Sequence, residues 1–513
     1  MKLVKGSKKC HLLTIALFFV LFVVSVYGVR YVIPPPSAVE NRSSWFELPQ
    51  ANLLLDSSWL GPDGQRVLDQ SIFDAVISQI DRASDLVLLD MFLFNDWQGP
   101  KPEQHRALSD DLTAALLRAR ARHSSMPVIV ITDPINTLYG GVKSDHLQAL
   151  SRAGVLVVKT PLIKLQDSNP VYSAIWRAFI RPWGNRAGVQ GLKAPFGDER
   201  ISLRSWLALL NFKANHRKLL VTQTHVNDKG WQAVVSSANP HDGSSAHRNV
   251  AIQFSGEAVK ALFGFEIQLL QLAADADDGA IREPAIAAME QLSTLLSESS
   301  DTLLSSVNIE QMDQPSAANQ AFIRVLTEKA ILDAVLAVID AAKQDDEVNV
   351  LMFYLSHRSI VTALKRAAKR GARVKVLLDA NKDAFGRIKQ GVPNRPVADE
   401  LTKAGVRIRW CATAGEQCHA KVIHVKTGDL HRLISGSGNY TRRNLDNLNL
   451  ETNVDIRVRG KVKLIDEFTD YFNTQWQNSG DRIFSEDYDN FADPSFFKKW
   501  RYRFMEASGL GTF

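Results

Sequence analysis

The chain has 513 residues, 45% of them hydrophobic and 23% charged. That is long enough for two to four domains or one large pseudo-symmetric unit, and too ordinary in composition for a disordered protein. A net charge of +6 points mildly to an anionic partner, phospholipid headgroups or nucleic acid, and three cysteines are too few for a disulfide framework.

At the N-terminus, Lys2, Lys5, Lys8 and Lys9 precede an uncharged run at 12–29, LLTIALFFVLFVVSVYGV, closed by Arg30. The run has about the minimum length of a membrane-spanning helix. Basic residues on its near side predict that the body of the protein lies outside the cytoplasm. A cleavable signal peptide is the competing reading, with Val26 and Gly28 as small cleavage-site residues. The long Val/Phe-rich core and the following YVIPPPSA favour an uncleaved anchor and a stiff stalk, together 1–36.

Beyond the stalk one pattern occurs twice. The helical spacing of SIFDAVISQIDRAS (71–84) runs into the apolar strand LVLLDMFLF (86–94), as ILDAVLAVIDAAKQ (331–344) runs into VNVLMFYLS (348–356). A second helix follows in each copy, at 111–122 and 360–371. Then come the strands PVIVITDP (127–134) and VKVLLDAN (374–381), both closing on an aspartate, Asp133 and Asp379. A helix-capping role suits those two. Short helices ending in Ala-Gly lead to VLVVKTP and VRIRWCA. Strands alternating with helices predict an α/β unit with a mostly parallel sheet covered on both faces. The expected units are 45–285 and 321–513, joined by a polar segment at 286–320 that reads equally as linker or as partly helical.

The first copy carries an insert at 161–215 with Trp176, Phe179, Trp183, Phe196 and Trp206 among Arg177, Arg181, Arg186 and Lys193. It fits either a lipid-facing lid or an extra helical layer with ordinary core tryptophans. The tail FFKKWRYRF (496–504) has the same flavour and the same two readings.

Each copy then presents H-x-K at the mouth of an apolar strand: His216 and Lys218 in NHRKLLVT, His419 and Lys421 in CHAKVIHV. Alternate strand residues share a face. Small hydroxyl-and-Asn turns follow, SSAN (236–239) and GSGN (436–439). If the copies pack about a pseudo-twofold axis, two imidazoles, two ammoniums and Ser and Asn donors meet in one pocket. That set suits a phosphodiester: lysines and amides for the non-bridging oxygens, one imidazole to attack phosphorus, the other to move a proton. It calls for no metal and no cofactor. His225, His241, His247, His357 and His424 show no ligand spacing and read as surface or hydrogen-bonded histidines, His424 facing away from His419. Cys411 and Cys418 bracket the turn into His419; a staple in an oxidising compartment and two free thiols fit equally.

Here the sequence resembles the phospholipase D superfamily, whose signature is H-x-K-x(4)-D followed by a G-S-x-N turn, present twice. The resemblance covers about 45–480 and implies two pseudo-symmetric α-β-α sandwich halves, preceded in this chain by the N-terminal transmembrane helix expected at 12–29. It implies that His216, Lys218, Ser237 and Asn239 form one half-site and His419, Lys421, Ser437 and Asn439 the other. His216 would be the nucleophile and His419 the general acid and base. Asn239 and Asn439 are expected to act with the catalytic pairs; Ser237, Ser437 and Glu451 are expected to bind substrate. Glu451 stands where such proteins often carry an acid that orients the histidine, and the first copy shows no clear counterpart. The signature Asp would fall at 223 and 426, where this chain has Gln223 and Lys426, and Ser236 replaces the usual Gly.

The resemblance implies an enzyme of the cardiolipin synthase or headgroup-transferase kind, or a hydrolase of the same bond. Its partners would be a phospholipid substrate at a membrane surface and an alcohol acceptor or water. The expected setting is a single-pass inner-membrane protein with its catalytic part on the periplasmic or extracytoplasmic side. The competing readings are a membrane-anchored nuclease, which alone would bring nucleic acid in as partner, and a non-catalytic phospholipid-binding protein.

Overall fold

The computed structural model describes residues 11–19, 21–22, 42–98, 106–195, 198–224, 230–300, 306–314, 317–384, 387–388 and 390–511. Residues 11–19 and 21–22 are helical; the rest of the expected anchor, the whole expected stalk, Phe196 and His225 lie outside the described residues. No helix among the described residues is long and apolar enough to cross a membrane.

Two sheets, of eight and nine strands, form the frame. Seven strands correspond in order. In the first sheet they are Ala51–Leu60, Asn249–Ser255, Trp231–Ser236, Lys218–Gln223, Leu86–Met91, Val128–Thr132 and Leu156–Lys159. In the second they are Ala321–Thr327, Thr452–Arg459, Leu430–Gly436, Lys421–Thr427, Glu347–Met352, Arg373–Leu378 and Arg407–Cys411. The repeat in sequence is a repeat in topology.

The expectation of a mostly parallel sheet is corrected. Only the three strands joined through helices run parallel in each half. From the H-x-K strand onward every neighbour is antiparallel. There the chain turns back directly into the next strand, and a short turn can join only antiparallel strands.

Helices Ile72–Arg82, Leu108–Arg122 and Asp145–Arg152 pack on one face of the first sheet, and Lys329–Ala341, Arg358–Lys369 and Asn394–Thr402 on one face of the second. Ile72–Arg82 shows why: Ile72, Phe73, Val76 and Ile80 fall on one side and are buried. Gly154 and Gly405 follow the Asp145–Arg152 and Asn394–Thr402 helices in the left-handed conformation, with φ of 83° and 90°. This conformation redirects the chain into the next strand at no Cβ cost.

Between the sheets lie helices Glu257–Ala274 and Lys463–Gln477 and the first part of Gly279–Ser300. Leu88, Ile131 and Val221 of one sheet, Leu351, Val422 and Leu433 of the other, and Leu262, Leu292 and Phe468 from these helices share a single core. With both faces covered, the strands read as unbroken apolar runs. The halves also exchange material: Phe46–Glu47 pairs with Ala321–Thr327 in the second sheet. Gly279–Ser300 carries the first half into the expected linker, with Ala285, Ala288 and Leu292 buried.

Candidate active site

Each H-x-K strand is tied through its backbone to the opposite half. His216 N–H donates to the Leu450 carbonyl at 2.9 Å and His419 N–H to the Arg248 carbonyl at 2.8 Å. The residue before each histidine is tied to a strand-closing aspartate: Asn215 N–H to Asp133 Oδ2 at 2.7 Å, Cys418 N–H to Asp379 Oδ2 at 2.8 Å. The other carboxylate oxygens accept from Ile135 and Asn381 N–H, at 2.7 and 2.6 Å. Asp133 caps the short helix Pro134–Gly140, as expected. No helix directly follows Asp379, which accepts the equivalent bond in an irregular turn. Both carboxylates also fix the residue before a histidine. Cys411 and Cys418 are disulfide-bonded, with Cα atoms 6.2 Å apart, which staples the turn into His419.

Each side chain of the expected half-sites has a counterpart in the other. Lys218 Nζ donates to the His216 carbonyl at 2.7 Å, and Lys421 Nζ to the His419 carbonyl. The Phe92 ring lies 4.9 Å from the His216 ring and 5.1 Å from Lys218 Nζ; Phe353 lies 5.0 and 5.2 Å from His419 and Lys421 Nζ. These phenylalanines are site residues that sequence reasoning passed over as strand. The strands end at Met91 and Met352, and an asparagine takes over the ladder. Asn136 donates to the Phe92 carbonyl at 2.8 Å and accepts from Phe94 N–H at 2.9 Å. Asn394 does the same for Phe353 and Leu355, at 2.6 and 2.9 Å. The matching offsets of Phe92 and Phe353 in the two copies were the available signal.

The histidines are oriented across the halves. His216 Nδ1 lies 2.9–3.0 Å from both oxygens of Glu451, which also accepts from Ser437 Oγ and Asn444 Nδ2. His419 Nδ1 lies 3.1 Å from Asn249 Oδ1, which accepts from Ser237 Oγ at 3.0 Å. Asn249 Nδ2 donates to the His247 carbonyl at 3.0 Å, which turns its oxygen toward His419. Asn249 is therefore the first-copy counterpart of Glu451 that the sequence did not reveal. Ser237, Ser437 and Glu451, expected to bind substrate, are fully buried; Ser237 bonds Asn249, Ser437 bonds Glu451, and Glu451 bonds His216. With Nδ1–H given to an acceptor, each ring presents Nε2 as its reactive nitrogen. Asn239 Oδ1 accepts from Leu93 N–H at 3.3 Å, and Asn439 Oδ1 is buried without a hydrogen-bond partner.

His247, read from sequence as an ordinary histidine, has its ring 5.8 Å from that of His419 and accepts from Gln417 N–H at 3.3 Å. His424 does face away: it stacks on His431 at 5.3 Å. His241 bonds Ser244 at 3.0 Å and His357 bonds Asp446 at 3.2 Å.

Burial sets the protonation of the site. It lowers Lys218 to about 7 and His216 to about 4, the latter against the opposing pull of Glu451. Burial and the Lys421 ammonium push His419 well down, and burial does the same to Lys421 with Lys218 adding to it. Burial alone would raise Glu451; His216, Lys218 and the Ser437 hydroxyl overcome it and hold the carboxyl below its ordinary value. A pocket this short of negative charge is built to be completed by an anion.

Gln223 and Lys426 stand at the far ends of their strands, seven positions and about 23 Å of extended chain from the histidines. Lys426 sits opposite Glu347, and the Gln223 carbonyl accepts from Ser84 and Asp85 N–H. The two departures from the signature lie outside the pocket. The third, Ser236, is compensated. Ser236 Oγ accepts from Ala238 N–H at 2.8 Å, whereas in the second turn Asn453 Oδ1 accepts from Gly438 N–H at 3.1 Å. A Cβ on Gly436 would collide with the Thr452 carbonyl, Asn453 Cα and the Asn453 Oδ1 side-chain oxygen. Gly436→Ser is expected to lower unfolding free energy by about 1–3 kcal/mol, read by denaturant titration. Asn453→Ala in the same chain should recover part of it, because Ala251 faces Ser236 in the first half.

A family model described as cardiolipin synthase, PLD-like domain, matches residues 335–476. That span holds the second H-x-K strand and its turn, and the first half repeats its strand order. Residues 335–476 are thus identified as a phospholipase D-like domain. The class of activity is that of a phosphodiesterase or phosphatidyltransferase. Among solved structures, phosphatidylserine synthase of Haemophilus influenzae Rd KW20 is similar over 91% of this chain and 96% of its own, at 12% identity and a TM-score of 0.52. This shows that the phospholipase D-like fold spans both halves. Nuc of Salmonella typhimurium, a phospholipase D family member, is 22% identical over 32% of this chain and 99% of its own, with a TM-score of 0.25. No curated protein matches the chain.

Within this phospholipase D-like site, Glu451→Gln keeps a hydrogen-bond acceptor near His216 but removes the charge that stabilises its imidazolium. The expected result is a fall in kcat of about 10²–10⁴ with KM little changed. Asn249→Ala, which removes a neutral partner, is expected to cost far less in the same assay.

Proposed function

We propose that this protein is a membrane-anchored enzyme that cleaves phospholipid phosphodiesters through a covalent phosphohistidine and passes the phosphatidyl group to an alcohol, as a cardiolipin synthase does, or to water. The observation that carries the reading is the paired H-x-K geometry, each histidine held at Nδ1 by a partner from the opposite half.

In this reading Lys218, Lys421, Asn239 and Asn439 bind the non-bridging oxygens, and an anionic phosphodiester restores the charge that burial withholds from both lysines. His216 Nε2 attacks phosphorus, the bond to the leaving alkoxide breaks, and His419 gives that oxygen its Nε2 proton. The acceptor hydroxyl then surrenders its proton to His419, attacks phosphorus and releases His216. The unequal partners favour this order. Glu451 gives His216 a counter-charge for the cation it becomes when phosphorylated. Asn249 offers His419 no such charge, which makes its imidazolium the stronger acid.

The anchor rests on the apolar run at 12–29 and its basic flank, which also favour a single-pass protein with this domain outside the cytoplasm. The Cys411–Cys418 bond supports an oxidising compartment. The test is mass spectrometry of lipid products from mixed phosphatidylglycerol and phosphatidylethanolamine vesicles, beside His216→Ala and His419→Ala. Cardiolipin or exchanged headgroups absent from both variants establish transfer; phosphatidic acid alone indicates hydrolysis. No product over a range of pH and acceptors overturns the lipid reading and turns attention to nucleic acid.

A further inference from the structure

The C-terminal helix Phe496–Ser508 is inside out. An ordinary surface helix buries its apolar stripe and shows water its polar side. Here Phe496, Trp500 and Phe504, four residues apart on one side, are 73%, 59% and 48% exposed, and Phe497 is 81% exposed. Trp500 and Phe504 stack at 5.5 Å, extending the apolar stripe.

Inward, Tyr502 is fully buried in the core of the second half, Met505 packs against that core, and polar bonds fix the helix there. Tyr502 Oη accepts from Arg358 at 2.6 Å, Glu400 pairs with Arg358 and Arg503 at 2.7 and 3.0 Å, and Glu506 accepts from Arg442 N–H at 2.7 Å. The helix is thus fixed in place by bonds that leave its aromatic side outward. This is no frayed end.

The surface continues into the insert. Gly509 packs so closely on the Ser168 carbonyl that a Cβ would collide with it. The insert exposes Phe179, Trp183 and Leu192 near Arg181, Arg186 and Lys193 in sequence. Its inner tryptophans, Trp176 and Trp206, are partly buried, so it is both a packed layer and an exposed face. The apolar N-terminal helix reaches the same place: Phe19 and Phe22 lie 6.2 and 5.9 Å from Phe179.

We infer that the outer side of Phe496–Ser508, together with the exposed aromatics of the insert, seats in the interface of an anionic phospholipid bilayer. Charge selects this occupant. Lys498, Lys499, Arg501 and Arg503 flank the aromatics. Lys498 pairs with Asp493, and Lys499 and Arg503 with a Glu400 already shared by Arg358 and Lys365, so cations outnumber carboxylates on this face. Glu506, the helix's one acid, turns inward. A second copy docked face to face would set these cations against each other, whereas lipid phosphates complement them. Arg442, bonded to Glu506, lies three positions beyond Asn439, so the seated helix would hold one half-site at the lipid surface. The inference takes its occupant from the membrane reading above and owes nothing to the chemistry, so its test reads contact rather than turnover.

The full chain with Cys10→Ser and Phe497→Cys, carrying an environment-sensitive fluorophore, is reconstituted into phosphatidylcholine vesicles with and without phosphatidylglycerol. A second protein carries the label at Phe496→Cys. The expected result for both is a blue-shifted emission and a loss of intensity when the lipids bear a quencher near the headgroup, stronger with phosphatidylglycerol. Water-like emission indifferent to the quencher overturns the inference. So does a blue shift that grows with protein concentration without lipid quenching, which signals a second copy. A blue shift seen only on adding single-stranded oligonucleotide overturns it in favour of nucleic acid. If contact is observed and no lipid product forms, the surface stands and the proposed chemistry falls.

Discussion

His216→Ala and His419→Ala are expected to lose turnover on phospholipid by at least about 10⁴-fold each, by different routes. Without His216 no bond to phosphorus forms. Without His419 the leaving alkoxide goes unprotonated and the incoming hydroxyl keeps its proton. An aryl phosphodiester separates the two roles, because a phenolate leaves without a donated proton. On that substrate His419→Ala should release one equivalent of phenolate in a burst and stall as an acid-labile phosphoryl adduct on His216. His216→Ala should show neither burst nor adduct. A burst from His216→Ala instead would reverse the roles and the argument drawn from Glu451 and Asn249. Absence of an adduct in both variants would remove the covalent step altogether.

Arg217→Ala is the substitution expected to harm the fold most. Arg217, between His216 and Lys218 but facing away from them, is 1% exposed and bonds Glu266 at 2.8 Å and Glu328 at 2.9 Å, one from each half. Both carboxyls are fully buried, and removing their partner should cost about 3–5 kcal/mol. Glu328 also accepts from Glu451 N–H at 3.0 Å, so kcat should fall as well.

The loss should depend on pH with a definite sign. Burial raises Glu328 from 4.5 to about 7 even beside Arg217. Between those values the native state keeps a proton that the unfolded chain releases, so stability falls as pH rises. Without Arg217 the native value rises further and the window extends upward. The gap between wild type and variant in chemical denaturation should therefore widen from pH 5.5 to pH 8. Adding Glu266→Gln and Glu328→Gln to Arg217→Ala should narrow it again. A gap that stays constant with pH would mean the arginine acts by packing.

The doubled pattern of helix, strand, H-x-K and hydroxyl-Asn turn was enough to read the repeat, the α/β class and the pairs His216–Lys218 and His419–Lys421 from sequence. Periodicity and spacing are local, and a strand at period two puts His and Lys on one side whatever lies beyond it. The direction of the later strands was misjudged because an apolar run carries no arrow; only the turns that join strands decide whether neighbours run parallel.

The partners of the histidines were beyond reach for another reason. Glu451 serves His216 and Asn249 serves His419, residues far away in the chain that meet only when the halves pack. The equivalence of a glutamate with an asparagine cannot be seen in residue type. Phe92 and Phe353 looked like strand, and His247 looked idle, for the same lack of a local signal. The tail helix shows the limit most plainly. Its sequence contained the aromatics and the cations, but which side faces outward was decided by Arg358, Glu400 and Arg442, whose bonds hold the polar side in. The local pattern determines which residues can act together; packing of the two halves determines which of them do, because hydrogen bonds and burial are fixed by neighbours in space rather than in the chain.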